Sequence, residues 1–461
     1  MNMTGMVSRQ LKRKPRLGGV IAIAMVSAAL LVCGCSSLGW FGSNAKPRLR
    51  VGIMSDTQSL PGKTTNRGQL AMKKAMEQLK EMGVDVLIVA GDISNNGNKK
   101  VYEEYREIVD EVYGEKKPEQ FAIMGNHDYW NGMNAADAQK NFCEGMKVDS
   151  VYKHKVVGGY DFIAVSPDNG SCTAGAFGKE ASDYMKREVA KAVKRNPDKP
   201  VFVITHQHAY DTVYGSMGWG NKDLSEMLAP YENVLLFSGH SHYPIDDERS
   251  INQKNFSAIG TASLAYCEME PGYANGSVPP NGSACRHYLL MEVYRDRLVV
   301  KRFDIATGEE IKPDARWVLP LPLKKERFSY TDKRAESRKA PAFPAGAKAT
   351  VAFPEKKPFE RFRLSFTAAQ HDDFVHSYLV KVSMKQKDGT WKQVKEYKFF
   401  SDFYLGIKTM ANPYSVQVPA KDLEAGQAYK LDVFPVESFG KTGEKPVSVE
   451  FKMPVNKAPA K

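Results

Sequence analysis

The chain has 461 residues, of which 42% are hydrophobic and 26% charged, with a formal net charge of +12. That length exceeds one ordinary domain, and the composition excludes a collagen-like, coiled-coil or wholly disordered chain. The positive balance lies at the ends: residues 331–461 hold 23 basic against 15 acidic side chains, residues 1–35 add five basic ones, and the section between is near neutral, which speaks against a basic nucleic-acid groove there.

The N-terminus reads as a targeting segment. Arg9, Lys12, Arg13, Lys14 and Arg16 precede an apolar run from Val20 to Val32. The run is shorter than the roughly 20 residues of a membrane span and leads into small residues, as signal peptides do. It ends in Val32-Cys33-Gly34-Cys35, which resembles a bacterial lipobox. The resemblance implies a signal peptide over residues 1–35, a lipid on Cys35 and a tether over 36–47. An exported chain of this kind is held at the cell envelope (outer membrane or outer cell surface) by its lipid, without a spanning helix.

Residues 48–330 alternate strands and helices. Strands are predicted at Arg50–Met54, Val84–Ala90 and Phe121–Met124. Helices are predicted at Asn66–Met82, with Leu70, Met72, Met76 and Leu79 on one apolar face, and at Lys100–Tyr113. Val151–Val157 and Tyr160–Val165 bracket Gly158-Gly159 as a hairpin. A helix at Ala181–Lys194, strands at Val201–Thr205 and Val234–Ser238, and a hairpin at Tyr288–Tyr294 and Leu298–Phe303 complete the section. Helices alternate with strands early and hairpins gather late, the pattern of an α/β fold with a mixed sheet, or two sheets, and helices outside.

Residues 331–347, rich in Lys, Arg, Ala and Pro, read as a linker. Residues 348–455 change texture: short alternating segments such as Phe362–Phe366, Ser377–Met384 and Tyr429–Val433 lie between turn signals, which points to a small antiparallel β-sandwich. Gly426–Gly443 resembles the late strands of a fibronectin type III domain. Residues 456–461 form a tail. Cys143, Cys172, Cys267 and Cys285 would remain after export. In an oxidising compartment they are expected to pair, and Cys267 with Cys285, which flank a Gly/Pro/Asn-rich loop, is the favoured pair.

Five blocks at predicted strand ends carry polar chemistry: Ser55-Asp56-Thr57-Gln58; Gly91-Asp92 with Asn95 three residues on; Gly125-Asn126-His127-Asp128; Thr205-His206-Gln207-His208; and Gly239-His240-Ser241-His242. In open α/β sheets, sites form at the carboxyl ends of strands. Alone, the first two are ordinary turns, and the fourth is as easily a packed histidine as a ligand. The third and fifth are specific, because clustered polar side chains directly after an apolar strand do not serve packing. Five of the chain's nine histidines lie in these blocks. Mixed oxygen and imidazole donors suit hard and borderline divalent metals.

The blocks Asp-x-x, Gly-Asp, Gly-Asn-His-Asp, His and Gly-His-x-His, in this order, resemble the calcineurin-like metallophosphoesterase superfamily over roughly residues 48–320. The resemblance implies an α/β/β/α sandwich and two divalent ions (Mn, Fe, Zn or Co). Asp92 would bridge them, with Asp56 and His242 completing one site and Asn126, His206 and His240 the other. His127 would stand beside the substrate, with Asp128 orienting it. Gln58 replaces a histidine common in the family, and its amide oxygen is a neutral, weaker ligand or a hold for a metal-bound water. Asn95 stands where purple acid phosphatases have tyrosine.

The function expected is hydrolysis of a small phosphate monoester or diester at the envelope, with no nucleic-acid partner. Two alternatives stay open: an envelope binding protein with a degenerate metal site, which Gln58 favours, and a metal-dependent nuclease. His208 reads as a contact behind the ligands or to substrate. Tyr129-Trp130 and the glycine-rich Tyr214–Gly220 loop are equally candidate pocket walls and ordinary surface.

Overall fold

The computed structural model describes residues 45–455. The signal peptide with Cys35, most of the tether and the tail lie outside these residues. In chain order the first fifteen strands are β1 (Leu49–Met54), β2 (Val86–Val89), β3 (Glu119–Ala122), β4 (Tyr152–Val157), β5 (Tyr160–Val165), β6 (Val201–Thr205), β7 (His208–Ala209), β8 (Gly220–Asn221), β9 (Val234–Ser238), β10 (Ile251–Gln253), β11 (Ser257–Gly260), β12 (His287–Val293), β13 (Arg297–Asp304), β14 (Glu310–Ile311) and β15 (Trp317–Pro320). One sheet has the order β14-β13-β12-β1-β2-β3, with β15 also on β13, and the other β10-β11-β9-β6-β5-β4. Parallel pairing joins β1, β2 and β3 in the first sheet and β5, β6, β9 and β11 in the second.

The central strands are buried on both faces, so they read as unbroken apolar runs, VLIV in β2, VFVIT in β6 and VLLFS in β9. Val51, Ile53, Ile88 and Phe121 from the first sheet meet Phe162, Phe202, Ile204 and Phe237 from the second in one core. Helices Arg67–Glu81, Lys99–Tyr113 and Ala135–Met146 cover the outer face of the first sheet, and Lys179–Arg195 with Lys222–Leu228 that of the second. The layers are therefore α/β/β/α. Gly52 sits where Leu79 presses onto β1, 2.7 Å from where a Cβ would lie, so the outer helix packs directly on the backbone.

Four of these helices start on an asparagine whose side chain accepts from the first turn's amides: Asn66, Asn98, Asn134 and Asn221. One face differs from the sequence reading. Leu70 is 46% exposed, and the helix buries Ala71, Met72, Ala75, Met76 and Leu79 instead. Gln69, on the buried side of the helix, donates to buried Glu104 at 3.0 Å. Among the described residues no helix is long and apolar enough to cross a membrane.

The C-terminal part contains β16 (Ala349–Ala352), β17 (Arg361–Phe366), β18 (Ser377–Lys385), β19 (Trp391–Phe400), β20 (Tyr414–Pro419), β21 (Ala428–Val436) and β22 (Val447–Lys452). They form antiparallel sheets in the orders β16-β17-β20 and β19-β18-β21-β22. Inward residues alternate with outward ones, most cleanly in β21, where Tyr429, Leu431 and Val433 are buried. The first half of the segment 331–347 is pinned by two arginines. Arg334 donates to the carbonyls of Glu248 and Ile251, and Arg338 to Asp373 and Glu437.

Where the two parts meet, Tyr273 stacks on Phe400 at 3.6 Å, and Cys267, Met269, Cys285, Phe374 and Phe403 close an apolar patch. The expected Cys267–Cys285 disulfide is not formed: all four described cysteines are free thiols. Burial, and then a hydrogen bond with Cys267, push the Cys285 thiol well above its usual range. In that state the two side chains pack as small apolar groups.

Candidate metal centre

Five parallel strands, from both sheets, end at one edge of the sandwich and deliver the five polar blocks there. Asp56 lies two residues past β1, Asp92 three past β2, Asn126 four past β3, His206 directly after β6, and His240 two past β9. The backbone turns sharply at each delivery. Asp56, Gln58, Asp92, His240 and His242 all have positive φ, between 42° and 75°. Non-glycine residues adopt that region rarely and at a cost, so five in one place mark a constrained site.

Three glycines make the close approach possible. A Cβ at Gly91 would lie 2.4 Å from His206 Nδ1, one at Gly125 2.2 Å from Asp92 Oδ1, and one at Gly239 2.4 Å from Asp56 Oδ2. The glycines of the Gly-Asp, Gly-Asn-His-Asp and Gly-His-Ser-His blocks are thus steric requirements of the cluster.

At the centre, ligand atoms of Asp56, Asp92 and His206 all lie within 4.8 Å of one another, and all three residues are buried. His206 Nδ1 donates to the Ala90 carbonyl at 2.8 Å, which leaves Nε2 facing Asn126 Oδ1 at 3.0 Å and Asp92 Oδ1 at 3.3 Å. His242 Nε2 lies 3.1 Å from Asp56 Oδ1. The rings of His206 and His240 meet edge to face at 4.9 Å. The His240 Nε2 atom is buried with no hydrogen-bond partner. Gln58 reaches the same place, its amide nitrogen 3.1 Å from His127 Nε2 and 3.3 Å from His242 Nε2. Every metal-ligating candidate named from the sequence is therefore in one cluster.

The electrostatics call for a cation. Burial works against a charged Asp56, but His242 and His206 outweigh it and hold the carboxyl below its usual range. Burial likewise opposes charge on Asp92, yet His206, His127 and His240 hold it far down. His206 is pulled the other way: burial lowers its pKa, and Asp92 and Asp56 raise it to about 9. Burial pushes His240 down to about 3, so it stays neutral with a free lone pair. Two buried carboxylates, an imidazole that takes a proton for want of a better cation, and an orphaned imidazole nitrogen fit divalent metal ions, which displace protons from their ligands.

Residues 49–244 match the family model of the calcineurin-like phosphoesterases. They are a calcineurin-like phosphoesterase domain. No curated protein matches the chain. Among solved structures, a purple acid phosphatase from yellow lupin (Lupinus luteus) seeds is similar at 13% identity and a TM-score of 0.42, over 57% of this chain and 52% of that one, so the chain spans about half its length. A Streptococcus pneumoniae protein described as a predicted phosphoesterase is similar at 12% identity and a TM-score of 0.30, covering 59% of this chain and 97% of that one. The C-terminal part is similar to a fibronectin type III domain of human collagen XX, at 18% identity and a TM-score of 0.15, over 25% of this chain and 99% of that one.

Around the candidate ligands the structure reassigns one residue. Asp128 was expected to orient His127. Its carboxylate instead accepts from the Gly125 and Ser94 amides at 2.8 and 2.9 Å and from the Tyr102 hydroxyl at 2.8 Å. Burial, with Asp92 nearby, raises it to about 7. Its work is to tie its own loop to the Ser94 loop and to the helix Lys99–Tyr113. His127 is steered by the Asn95 carbonyl, 3.3 Å from Nδ1, and by Trp130, whose ring lies 4.0 Å away.

His208 takes the first of its two expected places, behind the ligands. Its two nitrogens meet the Ser238 and Ser241 hydroxyls at 2.7 Å each, so it braces the Gly-His-Ser-His turn from behind. Burial pushes it down to about 3, so it remains neutral. The Asn95 carbonyl role has no side-chain signature in the sequence. The serines at 238 and 241 were a signal, since a buried histidine needs two partners.

At the mouth, Trp130 is 49% exposed beside His127, Trp219 stands edge-on to His240 at 5.4 Å, and Tyr266 packs against His242 at 4.4 Å.

Proposed function

We propose that the chain hydrolyses a small phosphate monoester or diester with two divalent ions, and that it does so at the cell envelope, anchored by a lipid on Cys35. The observation that supports the chemistry most directly is the convergence of Asp56, Asp92 and His206 within 4.8 Å, with the unpartnered His240 Nε2 beside them. Asp56, Asp92, Asn126, His206, His240 and His242 would hold the ions, with the Gln58 amide at their edge. When bound, such ions polarise the phosphoryl oxygens and lower the pKa of water.

The chain's own residues do the rest. Most of the proposed ligands are neutral, so the two aspartates leave net positive charge to draw an anionic ester. The Asn95 carbonyl takes the Nδ1 proton of His127, which leaves Nε2 turned toward Gln58 and the mouth. With the ring protonated at both nitrogens, the Nε2 proton can pass to the leaving oxygen, a contribution typically worth about 10²–10⁴-fold. Trp130, Trp219 and Tyr266 face the ester's organic group. The envelope location is supported by the basic, apolar and Cys35 pattern of residues 1–35.

Turnover of p-nitrophenyl phosphate and its bis ester with added Mn²⁺ tests the chemistry. Activity lost in Asn126→Ala and His127→Ala supports it, and no turnover with no bound metal sinks it. Cleavage of DNA or RNA alone would select the nuclease. A Cys35→Ser chain that leaves the membrane fraction supports the anchor, and one that stays refutes it.

A further inference from the structure

Tyr214 lies in the loop between β7 and β8, far in sequence from the C-terminal strands, yet it is held by one of their residues. Its hydroxyl is 2.6 Å from Glu270 Oε2 and 2.9 Å from Nε2 of His376, which directly precedes β18. Arg249 donates to the same His376 nitrogen at 3.1 Å and lies over the Tyr214 ring at 3.8 Å. An arginine only donates, so His376 Nε2 carries its lone pair there, and the single Tyr214 hydroxyl proton is shared between that nitrogen and Glu270 Oε2. His376 is itself fixed in the sandwich, its amide donating to the Val436 carbonyl and its carbonyl accepting from Ser401. It is 3% exposed.

From Tyr214 the contacts run on to the metal centre. The Tyr214 ring stands edge-on to Tyr243 at 4.5 Å, one residue past His242. Gly215 presses against Ser241, where a Cβ would lie 2.9 Å from that side chain. The Trp219 indole lies beside the Tyr243 side chain and meets His240 edge to face at 5.4 Å.

We propose that the C-terminal sandwich is a working part of the phosphoesterase site: its His376 is a positioning residue that clamps Tyr214 and, through Tyr243, fixes Trp219 as the wall that receives the ester's organic group. This rests on the phosphoesterase reading. His376 touches no reacting atom, so its loss acts on how substrate is held.

The test uses the full, metal-loaded chain. In His376→Ala, kcat/KM for bis-p-nitrophenyl phosphate falls roughly tenfold, through KM rather than kcat, with metal content kept. Trp219→Ala gives a similar loss, and the double variant is no worse than Trp219→Ala alone. His376→Gln, which restores an acceptor for Arg249, recovers most of it. Amide exchange over residues 210–221 rises in His376→Ala and is normal in His376→Gln. Tyr214→Phe, which keeps the ring and removes the hydroxyl, reproduces the His376→Ala exchange pattern should the alanine variant fail to fold. Multiplying losses, or unchanged exchange over 210–221, overturns the proposal. A wild-type chain that hydrolyses neither ester overturns the phosphoesterase reading, while the exchange comparison still decides whether His376 holds the loop.

Discussion

Gly125→Ala adds a single methyl group at the metal centre and isolates a steric effect. Gly125 is not among the positive-φ glycines, so alanine fits the backbone. At an unconstrained site the change would stabilise by about 0.4–1 kcal/mol, through the unfolded chain. Here the new Cβ lies 2.2 Å from Asp92 Oδ1, 2.6 Å from Asp92 N and 2.7 Å from His206 Cδ2. Ordinary contact needs about 3.5 Å, so the Asp92 carboxylate must retreat by roughly 1 Å. It cannot do so freely, because Oδ1 also accepts from the His127 amide at 2.9 Å.

Overpacking of this kind costs about 1–3 kcal/mol, and a misplacement of about 1 Å costs on the order of 10² in rate. The expected result is loss of most bound Mn²⁺, a fall in kcat/KM of about 100-fold and a lower denaturation midpoint. Metal analysis, ester kinetics and urea unfolding measure the three. A variant that keeps its metal and stays within about threefold of wild-type kcat/KM would refute the placement of Asp92.

Other outcomes follow from the same geometry. His208→Ala leaves the Ser238 and Ser241 hydroxyls without their partner and should cost about 2–3 kcal/mol in urea unfolding, with a loss of activity; a change below about 0.5 kcal/mol would contradict the bracing role. Asp128→Asn keeps one acceptor oxygen and sets its amide nitrogen against at least one of the donors, the Gly125 amide in the less costly orientation, and should cost about 1–3 kcal/mol while the pH profile of kcat keeps its shape; a shifted profile at unchanged stability would restore Asp128 to His127. Burial, with Arg249 alongside, pushes His376 down to about 4 from an ordinary 6.5, although Glu270, Asp247 and Glu437 oppose this and Tyr214 also faces it. Below pH 6.5 protons therefore bind the unfolded chain first, and stability that is complete above 6.5 is lost as pH falls to about 4. The loss is about 3 kcal/mol. Other buried histidines titrate in the same window, so the quantity to measure is the difference between wild type and His376→Gln. Equal slopes for the two would contradict it.

The strands and helices were legible because the central strands are apolar on both faces and the helices carry apolar stripes begun by asparagine caps. The helix Ala135–Met146 was missed although Asn134 caps it, because its buried face, Ala138, Phe142, Gly145 and Met146, carries only two large apolar side chains. The ligand candidates were legible for a different reason. Polar blocks directly after apolar strands serve no packing purpose, and parallel strands bring their carboxyl ends to one edge. What the sequence hid were contacts made by groups with no signature: the Asn95 carbonyl on His127, the space opened by Gly91, Gly125 and Gly239, and the reach of His376 to Tyr214 across 162 residues. The cysteine spacing misled, since the Cys267 and Cys285 thiols sit in an apolar patch as free thiols.

The central claim is that Asp56, Asp92, Asn126, His206, His240 and His242 grip a pair of cations. Anomalous diffraction from crystals grown with Mn²⁺ tests it most directly. The account predicts two strong peaks enclosed by those six side chains and their absence in Asp92→Ala. Peaks elsewhere, or none at all with the side chains in place, would contradict it.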